Sequence, residues 1–158
     1  MSAIRRRAIQ GIKIDDTFTV TRTFSEQDVL CFADITRDYN PVHFDERFTE
    51  VKKLNGRICH GLLVASILTE IGGQIGWLAS GMQFYFIRPV YIQDTITCEF
   101  TITEVDQNQR AKAQAVYKNQ DGITVMEAEL TGILPGPEEQ RVLKAIIEET
   151  DPTSRAKT

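Results

Sequence analysis

Apolar and polar residues alternate along the first patterned stretch of the chain, from Thr17 to Phe24 (TFTVTRTF). Alternation with period two, rich in β-branched residues, predicts a β-strand. Ser25 follows as a candidate N-cap, with Asp28 three residues later and apolar residues at helical spacing behind it. The pattern therefore predicts a helix from about Ser25 to Thr36.

The second apolar segment, Gly61 to Ile71 (GLLVASILTEI), is hydrophobic on most faces of a helix. Such a pattern predicts a helix that is buried nearly all round, and Gly72–Gly73 is expected to end or loosen it. Between the two helices, Asn40–Pro41 interrupts the helical pattern, because proline disfavours the helical region for the residue before it. We therefore expect a shaped loop from Arg37 to Glu50.

Four strand-like stretches occupy most of the second half of the chain. Asn119–Gly122 is expected to join the third and fourth of them as a hairpin. Long sequential strands favour an antiparallel sheet, and one buried helix before such a sheet predicts an α+β fold in which the sheet wraps the helix. The stretches run from about Met82 to Ile87, Thr95 to Thr103, Arg110 to Lys118 and Ile123 to Leu134.

The length of 158 residues fits one domain. Two prolines, Pro135 and Pro137, end the last strand, and Glu138 to Glu149 has the apolar spacing of a short helix. We expect residues 1–136 to form a single domain and residues 137–158 to form a short helix and a polar tail.

The amino-acid composition argues against some classes of binding partner and indicates the cellular compartment. The formal net charge of −4 argues against a broad nucleic-acid-binding face. No run of about 18 apolar residues and no signal-peptide pattern is present, which predicts a cytoplasmic protein without a membrane partner. Cys31, Cys59 and Cys98 are odd in number and lack C-x-x-C spacing, so they indicate a reducing compartment and no metal site.

The two histidines lie in segments with unusual local chemistry, DYNPVH and GRICHG. On one helix, Asp38 and His43 would point about 140° apart. The Asn-Pro break removes that constraint and lets the loop bring both side chains to one point, where a carboxylate and an imidazole can share a water molecule. The amide of Asn40 can hold the loop or a bound partner.

DYNPVH resembles the D-x-N-P-x-H motif of the MaoC-like, (R)-specific enoyl-CoA hydratase family. His60–Gly61 resembles the turn that opens the central helix of that family, and Phe86–Val90 (FIRPV) with Asp94–Thr95 resembles its R-P-V and G-D-T segment. These matches cover most of Thr17 to Leu134 in the family's order. The resemblance implies a hotdog fold, a long central helix wrapped by an antiparallel sheet, and a homodimer.

The resemblance also implies a reaction, the addition of water to trans-2-enoyl-CoA to give (R)-3-hydroxyacyl-CoA, or its reverse, without a cofactor. Asp38 and His43 are then expected to bind and activate the water, with the identity of the base open. The backbone N–H of Gly61 is the candidate donor to the thioester oxygen. Asn40 and Ser66 are expected to support substrate binding.

Several alternatives stand beside this interpretation. His60 more often supports a turn than reacts, and Ser66 can bond to its own helix. Cys59 stands beside His60, as a nucleophile could, but nothing in the sequence marks an activating environment. An acyl-carrier-protein thioester is an equally good substrate, since both carriers present the same pantetheine arm. A hotdog acyl-CoA thioesterase and a non-catalytic acyl-thioester-binding subunit are the other candidate functions.

Two further features concern the substrate and one turn. Basic side chains that flank the site could bind CoA phosphates. Gln74 to Gln83, between helix and strand, is shorter than in many members of the family, which leaves the acyl length open. Gln93 stands where the family usually has glycine, and we expect this difference to affect a turn rather than the chemistry of the site. The basic candidates are Arg88, Lys52, Lys53 and Arg57.

Overall fold

A computed structural model describes residues 3–149, with side chains described as far as residue 146. Within this range the α-helices are α1 (Ala3–Ala8), α2 (Glu26–Thr36), α3 (Glu46–Val51), α4 (Gly61–Ala65), α5 (Ile67–Ile75) and α6 (Pro137–Glu149), and Pro41–His43 forms a 3-10 helix. The strands are β1 (Thr17–Thr23), β2 (Leu78–Phe86), β3 (Thr95–Val105), β4 (Arg110–Lys118) and β5 (Thr124–Ile133).

The strands form one five-stranded antiparallel sheet in the order β1-β3-β4-β5-β2. The predicted hairpin between β4 and β5 is confirmed: Asn119 N donates to Ile123 O at 3.0 Å, and Gly122 has a φ of +74°. β1 and β2 lie at the two edges of the sheet. Strand β2 is exposed along almost its whole length.

The hydrophobic core lies between one face of the sheet and the helices α4 and α5. Strand β3 alternates between buried and partly exposed positions, as expected for a strand that faces a core on one side. Ile67, Ile71 and Ile75 of α5 are fully buried. The predicted α+β hotdog architecture is therefore confirmed, and the polar tail predicted from residue 150 onward lies outside the described residues.

The central helix differs from the prediction in where it breaks. Ser66 separates α4 from α5, and its hydroxyl donates to Leu63 O at 2.6 Å. Gly72–Gly73 was expected to end or loosen the helix; that it ends there is wrong, since α5 continues through both residues to Ile75 and is capped by Gly76, which has a φ of +75°. The glycines are tolerated because the surrounding isoleucines anchor the helix in the core.

Two other segments contain more regular structure than predicted. The connection from Gln74 to Gln83 is helical up to Ile75 and extended from Leu78, and the acyl length that the substrate carries stays open. The loop predicted from Arg37 to Glu50 contains the 3-10 helix and the start of α3, which Asp45 caps by accepting a hydrogen bond from Arg47 N at 3.0 Å.

The N-terminal helix α1 was not predicted from the sequence. Its Arg5 is buried and donates to Gly73 O at 3.0 Å, and Ala8 joins the hydrophobic core. Gln93 has a φ of +76°, which is the left-handed conformation that glycine adopts most easily, and an effect of this residue on the turn stays a prediction.

A buried tyrosine connects the sheet to the break in the central helix. Tyr117 of β4 is fully buried and its hydroxyl donates to Ala65 O at 3.0 Å. We expect Tyr117→Phe to lower the free energy of unfolding by about 1–2 kcal/mol, since it removes, with little change in volume, a buried hydroxyl that bonds to Ala65 O and to Cys98. Urea unfolding would measure this, and an unchanged midpoint would show that the bond contributes nothing net.

Candidate active site

The loop that carries Asp38 begins where α2 ends. A capping box starts this helix: Asp28 N donates to Ser25 Oγ at 3.2 Å, and Ser25 N donates to the Asp28 carboxylate at 2.8 Å. At the other end Arg37 adopts a φ of +62°, and its N–H donates to Ala33 O at 2.7 Å. This left-handed residue turns the chain away from the helix immediately before Asp38.

The residues between Asp38 and His43 shape the loop. Asn40 N donates to Asp38 Oδ1 at 3.2 Å, and Asn40 Oδ1 accepts from Val42 N at 3.2 Å, which caps the 3-10 helix. Pro41 occupies the first turn of that helix, where its missing N–H leaves no bond unmade. Asn40 is exposed and is not among the residues that line the neighbouring pocket. Its observed contacts are with the loop.

The imidazole of His43 is held in one orientation and one tautomer. Its Nδ1 lies 2.8 Å from the carbonyl oxygen of Ile58, which can only accept, so the proton is on Nδ1. Nε2 then carries the lone pair and lies 4.0 Å from Asp38 Oδ2. The structure therefore brings together the two side chains that the sequence selected, at a separation that one water molecule can bridge.

The surroundings of these two side chains differ. The side chain of His43 is 8% exposed, whereas that of Asp38 is 52% exposed. Burial is the largest influence and lowers the pKa of His43 below its ordinary value of 6.5, and His60 lowers this pKa further. The hydrogen bond to Ile58 and the charge of Asp38 act in the opposite direction and raise it. The net shift is downward, which keeps Nε2 free to accept a proton at neutral pH.

His60 is buried directly against His43. The two rings stack with their centroids 3.8 Å apart and an angle of 28° between their planes. His60 Nε2 lies 2.9 Å from the backbone carbonyl oxygen of Asp38 and donates to it. His60 was predicted to support the turn, and this hydrogen bond is a specific contact through which it can do so. The bond is made to Asp38, whose carboxylate faces His43.

Asp38, His43 and His60 also have possible metal-ligating atoms within 4.8 Å of one another. An imidazole binds an ion in the plane of its ring, about 2 Å from the nitrogen. Two rings stacked face to face direct their lone pairs along nearly parallel planes, so they do not converge on one ion. The cluster is better suited to hydrogen bonding, and the absence of a metal site stays a prediction.

A pocket of about 600 Å³ opens beside this pair. Gly61, the first residue of α4, lines it, and its N–H belongs to the helical turn that lacks internal acceptors. A Cβ at this position would lie 2.6 Å from Phe86 Cε1, so only glycine allows the aromatic ring to approach so closely. The lining also includes Phe32, Thr36, Leu62, Val64, Val90 and Met126.

The remaining candidates lie less close to the pocket. Ser66 does not line it, since its hydroxyl bonds to its own helix. Of the basic candidates only Arg88 lines it, and its guanidinium donates to Thr124 O at 2.8 Å. Arg57 pairs with Glu26, and Lys52 lies 5.7 Å from the ring of Phe48. Lys53 is also absent from the lining.

Several residues of the site were not predicted from the sequence. Phe32 and Thr36 face the pocket from α2, and their spacing of one helical turn could have selected them once the neighbouring loop was implicated. The carbonyl of Ile58 leaves no signal in the sequence, because every residue has one. Cys59 lines the pocket, but burial raises the pKa of its thiol to about 12, so it is not an activated nucleophile.

Comparison with known proteins identifies the family. The MaoC-like domain model matches residues 10–124, and the chain belongs to the MaoC-like domain family. A mitochondrial 3-hydroxyacyl-[acyl-carrier-protein] dehydratase of Arabidopsis thaliana is 30% identical over 130 residues, covering 78% of each chain. An (R)-specific enoyl-CoA hydratase of Rhodospirillum rubrum is 28% identical over 130 residues, covering 80% of this chain and 90% of its own.

A solved structure agrees with this assignment. The (R)-hydratase from Aeromonas caviae involved in PHA biosynthesis superposes with a TM-score of 0.74 at 26% identity, over 80% of this chain and 99% of that one. The predicted family, fold and hydro-lyase class are therefore confirmed. Among residues 3–149, no helix is both long enough and apolar enough to cross a membrane.

We expect the His43 imidazole of the folded protein to titrate below pH 6.5, because burial disfavours its charged form more than Asp38 favours it. The unfolded chain then binds this proton more readily. The neutral His43 imidazole accordingly contributes to the stability of the folded protein above about pH 6.5. This contribution is lost as the pH falls through the titration midpoint of His43 in the folded state. An NMR titration would measure the midpoint, with His43→Ala to assign the signal and the urea-unfolded chain as the reference. A midpoint above 6.5 would mean that the Ile58 hydrogen bond and the Asp38 carboxylate together outweigh burial.

Proposed function

We propose that this chain catalyses the reversible addition of water to trans-2-enoyl-CoA, giving (R)-3-hydroxyacyl-CoA. One observation carries the proposal: Asp38 Oδ2 and His43 Nε2 face each other at 4.0 Å on the wall of a largely apolar pocket. Two acceptors at this separation can orient one water molecule. An enoyl chain fits the apolar lining beside it.

In the proposed reaction the water donates its two hydrogens to Asp38 and His43, which leaves an oxygen lone pair directed at C3 of the substrate. The C3–O bond forms as one O–H proton passes to the pair, and the C2=C3 electrons move toward the thioester oxygen. The pair then returns a proton to C2. The sum is one water added across the double bond, with no cofactor required.

The negative charge that develops on the thioester oxygen needs a donor. The Gly61 N–H is the proposed donor, since it lies in the first turn of α4 and lines the same pocket as Asp38 and His43. The space beside the Cα of Gly61 is taken by the ring of Phe86, so what Gly61 offers the thioester is its N–H. Arg88 is the basic candidate best placed to meet a phosphate of the carrier.

A second candidate substrate is a 3-hydroxyacyl or enoyl thioester of acyl-carrier protein. The Arabidopsis relative and a 31% identical relative from Solanum lycopersicum carry dehydratase names of that kind. Loss of enoyl-thioester absorbance with crotonyl-CoA and with crotonyl-acyl-carrier protein, measured in parallel, separates the carriers. Thiol release in the same assay would instead indicate a thioesterase, in which water attacks the carbonyl carbon.

A non-catalytic acyl-thioester-binding subunit is the remaining alternative. Such a subunit has no need of a carboxylate and an imidazole held on a common water, and the fixed tautomer of His43 leaves its Nε2 free for this purpose. The location of the protein in the cytoplasm stays a prediction.

We expect Asp38→Asn and His43→Ala each to lower the hydration rate by about 10²- to 10⁴-fold, since each removes one group that holds or deprotonates the water. The double variant should be hardly slower than the slower single variant, because both groups act on the same water. Steady-state kinetics with crotonyl-CoA would measure these rates.

The matched control is Asp121→Asn, which changes an exposed turn carboxylate that does not line the pocket and should leave the rate unchanged. Asp38→Asn should melt cooperatively near the wild-type temperature, since Asp38 is exposed and lies in a loop. His43→Ala should still melt cooperatively but at a lower temperature, because it removes a buried ring and its hydrogen bond to Ile58 O. Normal hydration by both single variants, with folding intact, would favour the binding subunit.

We also propose that the chain forms a homodimer through strand β2. Among residues 3–149 no strand pairs with one edge of β2, and an unpaired edge favours pairing with a second chain. Large apolar side chains are exposed along and just beyond it: Leu78 is 69% exposed and Phe86 57% exposed, with Met82 and Ile87 also exposed. A second copy would cover this surface.

Sedimentation at micromolar concentration should therefore show a dimer. Met82→Arg should shift the chain toward the monomer, because it places a charge on the exposed edge strand. Val142→Arg, at an exposed apolar position of α6, is the matched control and should stay dimeric. A wild-type monomer would contradict the proposal.

A further inference from the structure

We propose that His60 is a positioning residue for the water-binding pair, acting through its hydrogen bond to the Asp38 carbonyl. This inference rests on the proposed function for its effect on rate, although the contact itself can be tested without substrate. His60 is not expected to touch the reacting atoms. Its effect is to hold Asp38 where its carboxylate and His43 Nε2 share one water.

Two hydrogen bonds cross between the same two chain segments. His43, in the 3-10 helix, donates from Nδ1 to Ile58 O at 2.8 Å, and His60 donates from Nε2 to Asp38 O at 2.9 Å. Each segment thus supplies one imidazole donor and one carbonyl acceptor. We call this arrangement the reciprocal histidine pair. A backbone bond from Ile58 N to Val42 O at 3.3 Å lies between the two.

The ring of His60 has little freedom to rotate. It is 2% exposed, stacks on His43, and lies 5.1 Å from the ring of Phe32 and 6.2 Å from that of Phe44. Its Nδ1 has no hydrogen-bond partner among the described residues. The bond to Asp38 is therefore the one polar contact that this buried ring makes in the described part of the chain.

The position of Asp38 depends on its backbone. Its side chain is 52% exposed, so packing does not hold it, and Asp38 Oδ1 accepts one local hydrogen bond, from Asn40 N at 3.2 Å. The backbone N–H of Asp38 donates to Thr36 Oγ1 at 3.3 Å, and its carbonyl accepts from His60. Loss of the second contact would free the residue that sets the 4.0 Å separation. A displacement of about 1 Å in an active site can cost about 10²-fold in rate.

Two substitutions separate the donor from the ring. His60→Phe keeps an aromatic ring for stacking and removes the donor. His60→Gln loses the ring but can place its amide nitrogen near the position of the imidazole Nε2. If His60 acts by donating to Asp38, His60→Phe should lower kcat by about 10- to 100-fold with little change in KM, and His60→Gln should recover most of that loss. If His60 only fills space, His60→Phe should have the higher kcat and His60→Gln the lower one.

A double-mutant cycle adds a second kinetic readout. Because His60 acts through Asp38, adding His60→Phe to Asp38→Asn should slow hydration little beyond Asp38→Asn alone. A general packing defect would instead reduce the rate by the same factor in both backgrounds. Cooperative melting of each variant is the required control for folding.

The contact can also be tested in the unmodified protein, which contains two histidines in all. Long-range ¹H–¹⁵N NMR should show one imidazole with its proton on Nδ1, assigned to His43, and one with its proton on Nε2, assigned to His60. This readout does not depend on activity, so it stands if the proposed reaction is wrong or if His60→Phe does not fold.

Three results would overturn the inference. A folded His60→Phe with wild-type kcat would show that the donor is dispensable. A folded His60→Gln as slow as His60→Phe would show that the donor is not what the site needs. A wild-type His60 with its proton on Nδ1 could not donate to Asp38 through Nε2, whatever the kinetics show.

Discussion

The hydrogen bond from His43 Nδ1 to the Ile58 carbonyl is the interaction on which the candidate site depends. It selects the tautomer, orients the ring and leaves the Nε2 lone pair toward Asp38. Burial makes this bond more important, since a polar atom inside the protein loses water and must find another partner. The same burial lowers the pKa of His43 and keeps the ring available as an acceptor.

The fold supplies that carbonyl from a segment remote in sequence. Ile58 pairs with Tyr91 in an isolated β-bridge, and Cys59 N donates to Val90 O at 2.7 Å. These bonds hold the turn before α4 against the segment that connects β2 to β3. The site is thus a junction between the loop after α2 and the beginning of the central helix.

The agreement between sequence and structure is best where local chemistry decides. The capping box at Ser25, the Asn119–Gly122 hairpin and the alternating strands were all predictable, because the residues concerned act on their near neighbours. The helix ends are different. Gly72–Gly73 should weaken a helix by its propensity, yet α5 continues to Ile75, since core packing outweighs the small propensity cost.

The sequence alone determined the family, the fold class and the selection of Asp38, His43 and Gly61, since a carboxylate, an imidazole and a helix-opening glycine leave recognisable motifs. Only the tertiary structure decided the partners of those residues. The Ile58 carbonyl, the stacked ring of His60 and the approach of Phe86 to Gly61 come from segments separated by 15 or more positions. Backbone carbonyls and ring contacts carry no sequence signature, and their positions depend on how the whole chain packs.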